Sequence, residues 1–204
     1  LRYLKTDPQA DLEAYDDLQD LSHLKLAGDH VRHNAYLAER VMNELFPDIP
    51  LGQIVAAINS FPGTDRRFEK LADNLYTDYG HHPAEIAATL QLARELSDHV
   101  VLVYQPHQNT RQHDIRDDYK DSMLLAEKVY WAPTYLTRED DSLETLTPEQ
   151  LIAGLTNKEA AEPAELNDTL WQNIQNHRNA GHLVLCMGAG TIDEWVRLKL
   201  SSSE

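Results

Sequence analysis

The sequence predicts an α/β domain over residues 61–204, built on an open and mostly parallel sheet with helices on both faces. Short apolar runs that are typical of strands alternate with helical patterns from about residue 74 to 200. The runs at 99–104 and 183–187 are apolar at nearly every position, as in strands that are covered on both faces. This alternation is typical of Rossmann-like domains, whose ligands gather at the carboxyl ends of the strands.

Two helices are expected before the sheet, at residues 34–46 and 51–58, and an apolar stripe from Ala35 to Leu45 assigns the first of them to packing. Residues 1–60 are interpreted as the tail of a preceding domain with linking helices. The sheet domain is predicted to begin with an extended segment from Arg66, a strand at 74–77 and a helix from Pro83 that carries Ile86, Leu90, Ala93 and Leu96. Strands at 99–104 and 128–132 follow, separated by a helix at 114–126, and then a polar loop at 137–147. The predicted elements after the loop are helices at 148–155 and 166–180, the second ended by Gly181, a strand at 183–187, and a last helix that carries Ile192, Trp195 and Leu198.

The charge balance argues against two classes of function. The chain has 34 acidic and 18 basic residues and a formal net charge of -16. Proteins that bind nucleic acid non-specifically or lie on anionic membranes carry the opposite balance, so both classes are excluded as leading interpretations. No apolar run approaches the roughly 20 residues of a membrane helix. An anionic ligand of this chain must therefore be held by locally placed cations and backbone amides.

Cysteine usage indicates the compartment. Cys186 is the only cysteine, so no intrachain disulfide can form, and it lies within the apolar run 183–187. This pattern predicts a buried structural thiol in a reducing compartment. No signal peptide is visible, and a cytoplasmic origin is the simplest inference. The chain begins at Leu1 rather than Met, which suggests a fragment or a processed product.

The segment Asp78–Glu85 is the first candidate site. It reads as a strand-to-helix turn in which Pro83 suits the first helical position and Glu85 complements the helix dipole. Free amides at such a helix start favour anions, and the adjacent His81 and His82 add groups whose charge changes near neutral pH. The alternative is that both histidines are ordinary loop residues. Zinc would need a third and a fourth ligand at recognisable spacing, so no metal site is predicted.

Polar turns also follow two further strands, at 105–111 and 188–190, and the three turns are expected to share one edge of the sheet. Arg111 comes shortly after the end of its strand, and its planar guanidinium can bind a carboxylate through two hydrogen bonds. Arg66 and Arg67 are candidates for the same role. The alternative for all three arginines is an ordinary surface or ion-pairing role.

The turn Gly188–Gly190 follows a strand and invites comparison with dinucleotide-binding loops. The third glycine of that fingerprint is absent, and Asp193 stands in its place. Tight packing of the strand against the last helix is therefore the favoured interpretation of these glycines.

Taken together, these turns resemble a known family over nearly the whole chain, from about residue 20 to the end. The motifs occur in the order and approximate spacing of the Mur ligases, and most closely of the members that join L-alanine to UDP-N-acetylmuramate. They are Gly28-Asp29-His30 with Asn34-Ala35, Phe61-Pro62-Gly63 with Arg66-Arg67-Phe68-Glu69, Asp78-Tyr79-Gly80-His81-His82-Pro83, Gln105-Pro106-His107 with Thr110-Arg111, and Met187-Gly188-Ala189-Gly190.

The resemblance implies an ATP-dependent ligase of peptidoglycan synthesis. In this family ATP phosphorylates the carboxylate of UDP-N-acetylmuramate, and the amine of L-alanine attacks the acyl phosphate to form an amide. The resemblance makes residues 61–204 the C-terminal Mur ligase domain, which binds the amino acid. ATP and Mg²⁺ would be held mainly by an upstream ATP-binding domain of the same polypeptide, where the family has its glycine-rich phosphate loop. The isolated chain is therefore expected to be inactive.

The resemblance also implies roles for particular residues. Those expected around the incoming amino acid are Tyr79, His81 and Arg111. Those expected at the nucleotide are His30 and Asn34, against the adenine, and Arg67 and Asp78, near the ribose and phosphates. The chemistry of two of these residues agrees with the roles that the resemblance implies. The guanidinium of Arg111 suits the carboxylate of an amino acid, and the carboxylate of Asp78 suits hydroxyl donors.

Two residues depart from the family pattern. Val31 stands where asparagine is usual, and Gln108 stands where arginine is usual. The adenine hydrogen bonds and part of the carboxylate clamp are therefore in doubt, unless neighbours such as Arg32 and Asn109 compensate.

Two other functions remain open. One is the related ligase that adds a recycled murein tripeptide to UDP-N-acetylmuramate, whose typical turns differ from 105–107 and 188–190. The other is a non-catalytic binding module with the same fold, which the departures at Val31 and Gln108 favour.

Overall fold

The computed structural model describes residues 20–202. Residues 20–26 and 32–60 form one compact unit, and residues 27–31 and 61–202 form another. Residues 1–19, which belong to the predicted tail of a preceding domain, lie outside the described residues.

The first unit contains most of helix α1 (Asp29–Leu45) and the whole of helix α2 (Leu51–Asn59), close to the predicted positions. Ile54 of α2 is buried. The apolar stripe of α1 is not buried as predicted, because Leu37, Val41 and Leu45 are between 43% and 65% exposed.

The second unit is built on a six-stranded sheet with the order β1-β2-β6-β3-β4-β5. Strand β1 pairs with β2 in antiparallel fashion, and every other pair is parallel. The strands are β1 (Glu69–Ala72), β2 (Leu75–Asp78), β3 (Val100–Tyr104), β4 (Lys128–Trp131), β5 (Ala161–Pro163) and β6 (Leu183–Met187).

Helices cover both faces of this sheet, as the sequence predicted. They are α3 (Pro83–Leu96), α4 (Asn109–Ile115), α5 (Pro148–Ile152), α6 (Asp168–Asn179) and α7 (Ile192–Ser201), with 3₁₀ turns at Arg116–Tyr119 and Lys158–Ala160. Leu90 of α3 packs in one buried cluster with Leu102 and Leu185, whereas Ile174 of α6 packs in another with Val103. Alternate residues of the central strands therefore face different helices, and this explains why those strands are apolar throughout.

Helix α3 begins where the sequence predicted. Pro83 occupies the first helical turn, and His82 is the N-cap residue, whose side chain accepts a hydrogen bond from the N–H of Ala84. The carboxylate of Glu85 accepts hydrogen bonds from the backbone N–H groups of His81 and His82. Burial alone would raise the pKa of Glu85, but these bonds lower it overall. The turn after β2 is thus fixed to the start of α3.

The predicted helix at 114–126 is wrong. Helix α4 ends at Ile115, and a 3₁₀ turn and irregular turns follow. The side chains of Tyr119 and Met123 are fully buried there, and the ring of Tyr119 packs edge-on against Trp131. Packing of these side chains overrides the helical pattern of the segment.

Three smaller differences concern the edges of the domain. The extended segment after Arg66 becomes strand β1, and β5 is added at the far edge, where Ala161–Pro163 shows no strand pattern. Val196, not Leu198, is the buried residue in the middle of α7, and Leu198 is exposed. Gly181 follows α6 with a φ of 86°, the left-handed conformation that was predicted for it.

Candidate functional site

The three polar turns meet at one edge of the sheet, as predicted, because β2, β6 and β3 are adjacent and parallel. Asp78 at the end of β2 pairs with Met187 at the end of β6, which pairs in turn with Tyr104 at the end of β3. The turns that follow these residues therefore leave the sheet side by side at its carboxyl edge, where ligands of such sheets bind.

Asp78 is buried and bonded to the backbone on both sides. Its Oδ2 accepts a hydrogen bond from the N–H of Phe68 at 2.8 Å, and its Oδ1 accepts one from the N–H of Gly80 at 2.7 Å. Burial raises the pKa of Asp78, and these two bonds oppose that rise. Asp78 thus ties the segment before β1 to the turn after β2, and the nucleotide role predicted for it stays a prediction.

Tyr79 lies close to two arginines. The guanidinium of Arg66 is 4.6 Å from the centre of the Tyr79 ring, and that of Arg67 is 5.7 Å away. The Nε atom of Arg66 lies 3.4 Å from a carboxylate oxygen of Asp193, and its Nη2 donates to the carbonyl oxygen of Gly188 at 3.3 Å. Arg66 is therefore held by the start of α7, whereas Arg67 is exposed.

His81 connects Tyr79 to the turn after β3. Its ring meets the Tyr79 ring edge-on at 5.7 Å and lies 5.6 Å from the ring of His107, measured between centroids. Its Nδ1 lies 3.2 Å from the carbonyl oxygen of Tyr79, where the nitrogen must donate. Two predicted amino-acid-binding residues, Tyr79 and His81, are therefore adjacent in the structure.

His107 is the partner of His81 across this edge. Its ring stacks on Tyr135 at 5.6 Å, and its buried Nδ1 has no hydrogen-bond partner within residues 20–202. Burial lowers the pKa of His107, and the charges of His81 and Arg111 lower it further. The lowered pKa favours the neutral ring of His107, whose buried Nδ1 is left unsatisfied among residues 20–202.

Arg111 lies on α4, partly buried, close to His107. Its guanidinium makes no hydrogen bond or ion pair with any of the residues described, so its donors are available to a ligand. A carboxylate bound there would accept hydrogen bonds from these donors. The structure thus brings Arg111 to the same edge as Tyr79 and His81.

The loop at 137–147 closes over the start of α4 through Glu139. The carboxylate of Glu139 accepts hydrogen bonds from the N–H of Thr137 at 2.7 Å and from the N–H of Thr110 at 3.1 Å. Burial alone would raise the pKa of Glu139, and the N–H bonds lower it overall. The first turn of α4 is therefore held by a side chain from a distant loop.

The side chains of Gln108 and Asn109 are bonded to the loop at 137–147. Gln108 has a φ of 63°, and its Nε2 donates to the carbonyl oxygen of Thr137 at 3.4 Å. Asn109 is buried and bonded on both sides, to Glu144 and Leu146 of the same loop. Both side chains hold the loop, and the suggestion that Asn109 compensates stays a prediction.

The glycines after β6 serve close packing, as favoured from the sequence. A Cβ atom at Gly188 would lie 2.5 Å from the backbone oxygen of Gln105. At Gly190 it would lie 2.6 Å from the Cβ of Tyr135. The side-chain oxygen of Gln105 accepts a hydrogen bond from the N–H of Ile192 at 3.0 Å, which joins β3 to α7. A larger residue would therefore meet backbone at Gly188 and side chains at Gly190.

His30 and Asn34 both lie on α1, one turn apart and exposed. The start of this helix is held within the second unit by Gly28, whose N–H donates to Glu95 of α3 at 3.1 Å. A Cβ atom at Gly28 would lie 2.8 Å from Leu92, so only glycine fits this contact. The roles of His30 and Asn34 at an adenine stay predictions.

Sequence reasoning missed several residues of this edge, namely Tyr104, Gln112, Tyr119, Tyr135 and Glu139. A tyrosine at the end of an apolar strand was the one visible signal, since the hydroxyl of Tyr104 needs a partner when buried. The others follow no motif, because tertiary contacts alone bring them here.

Residues 20–202 contain no group of three or more His, Cys, Asp or Glu side chains that could hold a metal ion. Cys186 is fully buried, as predicted, and burial raises the pKa of its thiol to about 12. No helix in the described part of the chain is long and apolar enough to cross a membrane.

The chain matches known proteins along most of its length. It is 34% identical over 191 residues to a UDP-N-acetylmuramate--L-alanine ligase of Jannaschia sp. (strain CCS1), covering 90% of this chain and 40% of that protein. An enzyme of the same name from Cereibacter sphaeroides (strain ATCC 17029) is 34% identical over 179 residues, covering 84% of this chain and 37% of that enzyme. The chain therefore spans about 40% of the length of these curated relatives.

Solved structures show the same fold. The UDP-N-acetylmuramate-alanine ligase of Thermotoga maritima superposes with a TM-score of 0.62 at 24% identity, over 89% of this chain and 40% of that one. A murein peptide ligase from Psychrobacter arcticus 273-4 superposes with a TM-score of 0.57 at 24% identity, over 87% of this chain and 38% of that one.

The family model for "Mur ligase, glutamate ligase domain" matches residues 66–190, which include the turns after β2, β3 and β6. This match agrees with the motifs in the sequence and with the sheet order. The chain belongs to the Mur ligase family.

Proposed function

We propose that this chain is the C-terminal part of an ATP-dependent ligase that joins L-alanine to UDP-N-acetylmuramate in peptidoglycan synthesis. The curated relatives that it resembles carry the name of that activity, and it covers about 40% of their length. The proposal therefore assigns to this chain the amino-acid-binding part of the enzyme, and it assigns ATP activation to a preceding domain of the same polypeptide in the cytoplasm.

The observation that carries the proposal is the position of Arg111. Arg111 is half-buried near His107 at the carboxyl edge of a parallel sheet, and its guanidinium has no hydrogen bond or ion pair among residues 20–202. A planar guanidinium in such a place suits a carboxylate through two hydrogen bonds. The carboxylate of a bound amino acid would fill this position.

The other residues of the edge suit the amine of the same substrate. His81 and Tyr79 lie next to each other, and the ring of His81 is 5.6 Å from that of His107. With the carboxylate on Arg111, these side chains orient the amine toward an acyl phosphate brought by the rest of the enzyme. Attack by the amine forms the amide and releases phosphate, and positioning of this kind is a large part of catalysis.

The chain contributes little of its own to ATP and Mg²⁺. Arg67 is exposed, and its guanidinium makes no hydrogen bond with the described residues, so it can meet a phosphate. The carboxylate of Asp78 is already bonded to two backbone N–H groups, and residues 20–202 contain no acidic or histidine cluster for a metal ion. We therefore assign the metal and most phosphate contacts to the preceding domain.

The test uses the complete polypeptide that contains this chain, with ATP, Mg²⁺ and UDP-N-acetylmuramate, and measures phosphate release and ligated product. L-alanine is expected to give product. Product with the murein tripeptide alone would transfer the proposal to the tripeptide ligase, as the fold similarity to a murein peptide ligase allows. No product with either amine would favour a binding module that has lost turnover.

A further inference from the structure

A buried chain of hydrogen bonds runs between the turns after β2 and β3. The hydroxyl of Tyr104 donates to the backbone oxygen of His81 at 2.9 Å, and it lies 2.8 Å from the hydroxyl of Tyr119. The Tyr119 hydroxyl donates to Oε1 of Gln112 at 2.7 Å. The Nε2 of Gln112 donates in turn to the backbone oxygen of His107 at 3.0 Å.

The three side chains of this hydroxyl chain, Tyr104, Tyr119 and Gln112, are fully buried. They cannot touch a substrate, and their polar atoms can find partners only within the protein. Both ends of the hydroxyl chain are backbone oxygens of residues whose rings line the candidate site, His81 and His107. These buried contacts connect the backbone of the two turns through the core of the domain.

The two tyrosine hydroxyls of this path supply fewer protons than the number of contacts they make. The Gln112 amide is oriented by its NH₂ group, which donates to the backbone oxygens of His107 and Gln108, so its oxygen faces Tyr119. Burial raises the pKa of both tyrosines, which keeps one proton on each hydroxyl. Two protons therefore serve three contacts, and one contact always lacks a proton. Removing the Tyr119 hydroxyl cuts the path and leaves the buried Oε1 of Gln112 without its donor.

We propose that Tyr104, Tyr119 and Gln112 are positioning residues that hold the turn of His81 and the turn of His107 at a fixed separation, so that both meet one bound amino acid. The substrate part of this inference rests on the proposed ligase function. The coupling of the two turns does not, and it can be measured without turnover.

Tyr119→Phe is the informative variant, because its hydroxyl touches neither turn directly. It leaves the Tyr104 bond to His81 in place and severs the path to Gln112. Tyr130→Phe is the matched control, since it also removes a hydroxyl from a buried tyrosine of the same domain. That hydroxyl bonds Nε2 of His177 on α6, away from the candidate turns.

The first measurement is amide hydrogen exchange, resolved by residue, in the complete protein. In Tyr119→Phe we expect faster exchange both at the amides of His81 and His82 and in the turn of His107, by about tenfold for a lost bond of this type. The control is expected to leave both turns unchanged. Faster exchange near Tyr119 alone, or equal changes in the control, would overturn the coupling.

The second measurement is steady-state kinetics of the same variants. Misplacement of the two turns is expected to raise the L-alanine KM and to lower kcat, about tenfold in kcat/KM, with the KM for ATP unchanged. Tyr104→Phe combined with Tyr119→Phe is expected to do no more harm than the worse single variant, because both cut one path. Unchanged kinetics with faster exchange would remove the substrate part of the proposal. A parent protein without ligase activity would instead count against the proposed function, and the exchange data would still decide the coupling.

Discussion

The ring of His81, on the turn after β2, lies 5.6 Å from the ring of His107, on the turn after β3. Strand β6 lies between these two strands in the sheet, so the contact is made above its carboxyl end. The charge of His81 contributes to the lowered pKa of His107. The two histidines therefore form one group at the candidate site, and predictions for either must consider both.

Replacing Arg111 tests the carboxylate site. In the complete ligase, Arg111→Ala is expected to raise the L-alanine KM at least about tenfold, because a charge-assisted hydrogen bond contributes about 1.5–3 kcal/mol. Arg116→Ala is the control, since Arg116 lies shortly after α4 and is exposed. Steady-state kinetics at varied L-alanine provide the measurement. An unchanged KM would remove Arg111 from the site.

Replacing His81 separates a functional from a structural role. His81→Ala is expected to lower ligation while the melting transition is kept, because its backbone N–H and oxygen make the bonds that hold the turn. His99→Ala, an exposed change before β3 at the opposite end of the strands, serves as control. Thermal unfolding and product formation are measured together. If the melting transition of His81→Ala collapses, its ring is structural.

Asp78→Asn is expected to lower the free energy of unfolding by about 1–3 kcal/mol, the cost of leaving a buried polar group without its partner. Both carboxylate oxygens accept from backbone N–H groups, and an amide can accept with only one of its two atoms. Urea unfolding of the chain measures the change, with Asp73→Asn at an exposed position as control. Equal stability of the two variants would mean that these bonds contribute little.

Glycine replacements test the close packing after β6. Gly188→Ala is expected to destabilise the domain by about 1–3 kcal/mol, because its Cβ would meet the backbone oxygen of Gln105 at 2.5 Å. Gly154→Ala is expected to be nearly neutral, since its nearest contact would be an ordinary 3.7 Å. Denaturant unfolding of both variants gives the comparison. A Gly188 variant as stable as wild type would show that the turn can move.

Histidine burial predicts a pH dependence of stability. Burial, and next the charges of His182 and Lys128, lower the pKa of His177 below its usual value of about 6.5, while Glu127 and Glu162 oppose the shift. Near and below pH 6.5 the unfolded chain therefore binds more protons than the folded chain. The free energy of unfolding has its full value above about pH 6.5 and decreases as the pH falls below that value. Urea unfolding at pH 7.5 and 5.5 is expected to show this loss. His177→Asn should reduce it, and an equal loss in that variant would assign the effect to other groups.

Much of the fold could be predicted from the sequence, and particular residues show why. The runs at 99–104 and 183–187 must be apolar throughout because they are covered on both faces, and the structure places β3 and β6 there. Pro83 and Glu85 marked the start of α3 by local chemistry. The helix predicted at 114–126 is absent because the burial of Tyr119 and Met123 overrides the helical pattern of that segment.

The sequence by itself determined the alternation of strands and helices, the family, and the turn that carries Tyr79 and His81, because periodicity and motifs are local properties of the chain. Only the tertiary structure decided that Asp78 is bonded to the backbone, that Gln108 and Asn109 hold a loop, and that Tyr104, Tyr119 and Gln112 join two turns. These contacts link residues far apart in the chain, and the partner of a buried polar group is set by which strands lie side by side.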